Sequence, residues 1–184
     1  MSVEETTCEA HFADTTTRDE SDRFVVVLPK KPSVLPLLGK SYEIAKRRFL
    51  SLERRLLANP PLRSAYSEFI DEYQKLNHMK PVGEEMPSES SLTYYLPHHC
   101  VVRPDSITTK LRVVFDASCA TDTGISLNDV LMVGPVIQDD LISIILRFRM
   151  HRYAIISDVE KMYRQVKVHP ADHALQRILW RELN

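Results

Sequence analysis

Glycine is scarce in this chain, with four among 184 residues. That excludes a glycine-rich loop that wraps a phosphate, which needs several glycines close together. Cysteine is scarce as well: Cys8, Cys100 and Cys119 are widely spaced and odd in number. Such spacing supports neither a disulfide framework nor a paired CxxC, and a reducing, intracellular setting is expected. Long apolar runs are missing: none approaches the roughly 20 residues that cross a bilayer. No basic start followed by an apolar stretch marks a secretory leader. The expectation is a soluble chain, cytoplasmic or nuclear, not secreted, with no membrane partner. A strong charge of one sign is also lacking. The net charge of −1 excludes a uniformly basic nucleic-acid-coating protein.

The charges that are present are segregated. Residues 1–22 hold Glu4, Glu5, Glu9, Asp14, Asp19, Glu20 and Asp22 against Arg18. Residues 40–63 hold Lys40, Lys46, Arg47, Arg48, Arg54, Arg55 and Arg63 against Glu43 and Glu53. The basic stretch is read in two ways, as a track for a phosphate backbone or as a solvated helix face.

The chain divides into four segments. Residues 1–40 read as irregular, with a short strand at 24–28 stopped by Pro29. Residues 41–80 predict a helical hairpin. Ser41 is the expected N-cap of its first helix, and Tyr42, Ala45, Phe49, Leu52 and Leu56 recur at steps of three and four. Asn59-Pro60 ends that helix and caps the next, whose face is Leu62, Tyr66, Phe69, Tyr73 and Leu76. These aromatics read as core, not as a base-stacking platform. Residues 81–92 are a linker rich in proline and serine. Residues 93–184 predict strands at 93–102 and 110–115 joined by a polar turn at 105–109. A helix from Asp139 or Asp140 to about Met150 follows, with Leu141, Ile144, Ile145 and Phe148 inward. A strand at 153–159, an extended stretch at 164–168, a short helix at 170–175 and a last strand at 176–181 complete the pattern. Alternating helix and strand implies a mixed layer, so the fold class is α+β.

Asp158 is the leading candidate for chemistry, at the end of the apolar run Ala154-Ile155-Ile156. A carboxylate ending a buried strand must be paired, protonated or bound to a metal. On this pattern alone, capping a turn or pairing with an arginine is the competing role. His98-His99-Cys100 cannot close a tetrahedral metal site, because neighbours on a strand point to opposite faces. His169 and His173 lack the glutamate of H-E-x-x-H, and Cys8-x-x-His11 is isolated.

A series of ordered blocks adds to this. They are Tyr94-Tyr95-Leu96-Pro97-His98-His99, then Thr109-Lys110-Leu111-Arg112-Val113-Val114-Phe115-Asp116-Ala117-Ser118, then Ser126-Leu127-Asn128-Asp129 and Gly134-Pro135. Ile137-Gln138-Asp139-Asp140-Leu141, Asp158-Val159-Glu160-Lys161-Met162-Tyr163-Arg164-Gln165 and Gln176-Arg177-Ile178-Leu179-Trp180 follow. The series resembles the reverse transcriptase of Bel-Pao type long-terminal-repeat retrotransposons, densely over residues 93–184. Ser51-Leu52-Glu53-Arg54-Arg55-Leu56 resembles the segment that precedes the polymerase in those polyproteins.

The resemblance implies a helical hairpin followed by a partial fingers/palm domain, a mixed sheet with helices, truncated before its end. It implies that Asp158 is the first palm aspartate, a ligand of both metal ions, and that the backbone carbonyl of Val159 also binds metal. Tyr163 matches the steric gate under the sugar, with a core tyrosine as the other reading. Arg112 matches the fingers arginine on the incoming base and triphosphate, a role suited to a planar, permanently charged group. Lys110 lies two residues away on the same face, and Arg103 matches a further triphosphate cation less closely. For each cation the other reading is a solvated hairpin tip. Asp116 and Asn128 are expected to order turns.

The cofactor implied for the intact enzyme is Mg2+ or Mn2+, with two ions about 3.5–4 Å apart. The implied partners are an RNA or DNA template–primer, a dNTP and the remainder of the polyprotein. The Y-x-D-D motif that supplies the other two carboxylates does not occur in these 184 residues, so inactivity of the chain alone is expected. The competing function is a non-catalytic nucleic-acid-binding or protein-interaction remnant. The strand at 153–159, without its catalytic neighbour, is expected to leave an unpaired edge and an uncovered apolar face that invite aggregation or a partner, so poor solubility or partial disorder after residue 150 is expected of the chain alone.

Overall fold

The computed structural model describes residues 1–82, 92–103, 105 and 111–182. The protein is mixed α+β. Its helices are α1 (Val3–Thr15), α2 (Tyr42–Leu57), α3 (Pro60–Lys75), α4 (Leu127–Val130) and α5 (Leu141–Arg149). Its strands are β1 (Thr17–Arg18), β2 (Phe24–Val26), β3 (His98–Val102), β4 (Leu111–Phe115) and β5 (Lys167–Val168). Two compact units form: Lys30–Leu131 with His169–Asn184, and Met1–Pro29 with Met132–Val168. No helix among the described residues is long and apolar enough to cross a membrane. Most of the linker expected at 81–92 lies outside the described residues.

In the first of these units the helical hairpin is α2 and α3. Asn59 caps α3 as the sequence predicts, its Oδ1 accepting from the Leu62 N–H at 3.2 Å, with Pro60 at the first helical position. Ser41 does not cap α2. Its hydroxyl accepts instead from the Tyr95 N–H at 2.8 Å, so a tertiary contact has taken the oxygen that local sequence offered to the helix. The apolar faces meet as a seam: Leu52 and Leu56 of α2 and Tyr66 and Ile70 of α3 are buried together with Cys100 of β3. The two ends of the predicted faces, Tyr42 and Leu76, are exposed. The aromatics are core. Phe69 and Tyr73 pack on Phe115 of β4, and Tyr66 stacks on Trp180 with ring centroids 5.4 Å apart.

β3 and β4 pair antiparallel from His98↔Phe115 to Val102↔Leu111. The hairpin starts later on its first strand than the expected 93–102, because Tyr94 and Leu96 exchange backbone hydrogen bonds with Ala174 and Arg177 instead. Most of its tip lies outside the described residues. The last strand expected at 176–181 is absent. That segment makes a single bridge, Tyr95↔Arg177, and is held by side chains. His98 is central to this. Its Nε2–H donates to the Leu179 carbonyl at 2.8 Å, and the Tyr66 hydroxyl donates to its Nδ1 at 2.5 Å. Burial pushes its pKa below the ordinary 6.5. Nearby, Arg181 donates twice to the buried Glu53, at 2.6 Å to each oxygen. Lys30 pairs with the buried Asp172.

Residues 1–40, read as irregular, carry α1. The local cause is a capping box: Ser2 Oγ accepts from the Glu5 N–H and the Glu5 carboxylate accepts from the Ser2 N–H. Glu4 and Glu5 also sit where the helix dipole favours anions. In this unit β2 pairs antiparallel with β1 and parallel with β5. Asp19 orders the β1–β2 turn by accepting from Ser21 and Arg23, and it pairs with Lys167.

α5 forms where expected, with Asp140 accepting from the Ser143 N–H at 2.9 Å. Its apolar residues are not inward, however: Leu141, Ile144, Ile145 and Phe148 are all exposed. The strand expected at 153–159 is likewise absent. No described strand pairs with that segment, and an apolar run becomes a strand only when a neighbour completes its ladder. Residues 162–165 form a 3-10 turn where extended chain was expected, and only Lys167–Val168 joins a sheet. Cys8 is the one buried apolar residue among the described residues of this unit.

Two outcomes are expected. Ile70→Ala should lower unfolding stability by about 2–5 kcal/mol in urea titration, since a fully buried side chain leaves a cavity in the seam. His98 has a folded pKa below its unfolded one, so its contribution is whole above about 6.5 and is lost as pH falls towards the lower folded value. His98→Gln keeps a donor and an acceptor but does not titrate. It should flatten the loss of stability between about pH 7 and pH 5, the window set by the ordinary histidine value.

Candidate functional site

The β3–β4 hairpin sorts its side chains by alternation. Leu111, Val113 and Phe115 turn towards the aromatic seam, while Arg112 and Val114 are exposed. The Arg112 side chain makes no hydrogen bond or ion pair with another described residue, while its backbone pairs with Val101, so its guanidinium is available to a ligand. Arg103 follows the end of β3 directly and is also exposed. Lys110, which the sequence places on the Arg112 face, lies outside the described residues. On the partner strand His98 and Cys100 are buried and His99 is exposed, so the three do not converge.

Asp116 stands just past β4 as a structural group. It accepts from the Ser118 N–H and hydroxyl and pairs with Arg48 at 2.7 Å. The Ser118 hydroxyl and then the Arg48 guanidinium hold its carboxyl below the usual range. The Asn128 N–H donates to the Ala117 carbonyl. In the same unit, Arg48, Ser51, Arg55 and His99 line a hollow of about 300 Å3 beside Pro97. The basic sequence of α2 made cations expected on its surface. What it did not show is that Arg48 is drawn towards Asp116, 68 positions away in sequence.

Asp158, Val159 and Tyr163 belong to the other unit. Asp158 is exposed, in irregular chain and not at the end of a buried strand. Its Oδ1 accepts from the Val159 N–H of the next residue at 2.9 Å. The arginine pairing also considered for it is not made with any described residue. Lys161 takes a left-handed φ of 53° and starts the 3-10 turn Met162–Gln165. Tyr163 on that turn is 88% exposed, so it is not a core residue.

Two divalent ions need several carboxylates in one place. Among the described residues no three His, Cys, Asp or Glu side chains are grouped to hold a metal ion. The described residues therefore do not by themselves fit a two-metal centre, and no step is assigned through one.

An uncovered apolar face was expected at 153–159; what sequence reading missed is that the face of α5, expected inward, is exposed as well. Val136, Ile137, Ile155 and Ile156 are each more than 80% exposed. Periodicity could not reveal it, because an apolar face looks the same in sequence whether or not something covers it. Comparison with known proteins gives no match for the chain among family models, curated proteins or solved structures.

Proposed function

We propose that the chain is part of an RNA-directed DNA polymerase of a Bel-Pao type retrotransposon, containing fingers elements and the first palm motif. The observation that carries this reading is the ordered series of sequence blocks between Tyr94 and Trp180, with Asp158 to Gln165 as its most specific member. Two features of the fold support it. The antiparallel hairpin presents Arg112 outward, as a triphosphate-binding cation requires. Asp158 and Tyr163 are both open to a ligand.

In this reading Asp158 is one of three carboxylates of the metal centre, and the Val159 carbonyl joins it. When bound, the metal ions supply activation of the primer hydroxyl and charge neutralisation. This chain's own contributions are different. Arg112, with Lys110 and Arg103, orients the triphosphate and the base, and the Tyr163 ring excludes a 2′-hydroxyl beneath the sugar.

A second reading is a non-catalytic nucleic-acid-binding remnant. It is favoured by the exposed Lys46, Arg47, Arg54 and Arg55 of α2 and by the basic hollow beside them. Binding of that kind is to phosphates, and its affinity falls linearly on a log–log plot against salt.

The 184-residue chain is expected to give no magnesium-dependent primer extension, because it holds one of three carboxylates. Extension that requires Asp158 in this chain would overturn that. The test of the polymerase itself uses the whole reading frame around these codons. A downstream Y-x-D-D and extension lost by at least about a thousandfold in Asp158→Asn are expected, the several kcal/mol that held metal charge contributes. In that protein Tyr163→Val should raise ribonucleotide incorporation about tenfold or more, the scale of removing a steric contact. A stop codon after Asn184, with single-stranded RNA binding weakened by Arg54→Glu and Arg55→Glu, would favour the second reading.

A further inference from the structure

Residues 152–158 read Arg-Tyr-Ala-Ile-Ile-Ser-Asp. The centre is β-branched and aromatic, the composition of a strand. One end is a cation and the other an anion, six positions apart. All seven residues are exposed, with Tyr153 at 79%, Ile155 at 91% and Ile156 at 84%. No described residue makes a backbone–backbone hydrogen bond to them. None has positive φ, so the segment can enter the β region without passing through left-handed strain. Open backbone of this composition is a template for another strand.

We propose that this segment pairs antiparallel with the same segment of a second copy of the chain, with Ile155 opposite Ile155. Two-fold symmetry requires one residue to face itself, because the local dyads of an antiparallel ladder lie at opposed residue pairs. With Ile155 on the axis, Arg152 faces Asp158 at both ends of the ladder. Ala154 then faces Ile156, small against large, and Tyr153 faces Ser157. Moving the axis to Ile156 sets Asp158 against Ala154 and Arg152 against Glu160, whose carboxylate already lies 3.7 Å from Lys161 Nζ. A parallel, in-register pairing sets Arg152 on Arg152 and Asp158 on Asp158, which is repulsive. Charge therefore selects a closed antiparallel dimer over an open stack.

The available area agrees. Tyr153, Ile155, Ile156 and Val159 are at least 58% exposed, and so are Leu141, Ile142, Leu146 and Met150 of the same unit. At the roughly 60–120 Å2 per fully exposed apolar side chain that follows from transfer energies, reduced by these exposures, they offer about 350–700 Å2, to which the backbone and polar atoms of the ladder add. A standard interface uses about 800 Å2 per partner. The dimer requires only these side chains and does not rest on the polymerase reading. It would, however, engage the same Asp158 carboxylate.

Sedimentation equilibrium of the full 184-residue chain tests this. A monomer–dimer equilibrium is expected. Arg152→Asp or Asp158→Arg alone should raise its dissociation constant about tenfold, since each reversal turns two attractive pairs into like-charge pairs. An equimolar mixture of the two variants should recover dimer. In the mixed dimer the two substituted side chains face each other with opposite charge, and so do the two unsubstituted ones. Circular dichroism should show unchanged helix content, as both positions are exposed. Four results would overturn the proposal: a monomer at every concentration, association that runs past the dimer, a dimer indifferent to the single reversals, or no recovery on mixing.

Discussion

One buried imidazole organises the larger part of this protein. His98 begins β3, accepts from Tyr66 of α3, donates to the Leu179 carbonyl and lies against Phe49, Phe115 and Trp180. Helix, hairpin and the 177–181 segment thus share one neutral ring. Both ring nitrogens are used, so the ring is fixed as the tautomer with its proton on Nε2. Among the described residues the 177–181 segment has no backbone ladder beyond a single bridge. The Glu53–Arg181 fork, with two parallel hydrogen bonds, then closes its end against α2. Trp180 fills the space between Phe49 and Tyr66 as a consequence of these polar anchors.

The unit of Met1–Pro29 with Met132–Val168 is built on other terms. It buries little apolar surface among its described residues and is organised by caps and turn carboxylates. Ser2 and Glu5 start α1, Asp19 shapes the β1–β2 turn, and Asp140 starts α5. Their hydrogen bonds to neighbouring backbone are local, and together they specify secondary structure without requiring a core. Its apolar side chains are consequently left facing outward.

The same contrast bears on the proposed chemistry. Arg112 rests on a hairpin locked to an aromatic seam, so its direction is set by packing. Asp158 rests on chain without a ladder, and among the described residues its carboxylate bonds to its own neighbour. A metal centre needs carboxylates held rigidly and together, while a cation that grips a phosphate works from one well-placed strand. The fold thus provides for the ligand-orienting part of such a site more firmly than for the metal-holding part.

Sequence by itself determined the elements whose causes are local. The spacing of Phe49, Leu52, Leu56, Tyr66 and Phe69 specified two helices and their shared face, and Asn59-Pro60 specified the break between them. The Ser2–Glu5 box was equally local and equally present in the sequence, but it was obscured by the threonines and acids around it. Only the tertiary structure decided the rest. Ser41 gave its hydroxyl to Tyr95, the 176–181 segment was held by His98 and Glu53 and not by a ladder, and the run at 153–159 remained without strand structure. The reason is common to all three. Hydrophobic periodicity records which side chains prefer burial, whereas a strand or a buried ion pair exists only if a partner distant in sequence arrives to satisfy it. Asp158 shows that distinction plainly: it ends an apolar run in sequence, and in the structure it is exposed in irregular chain.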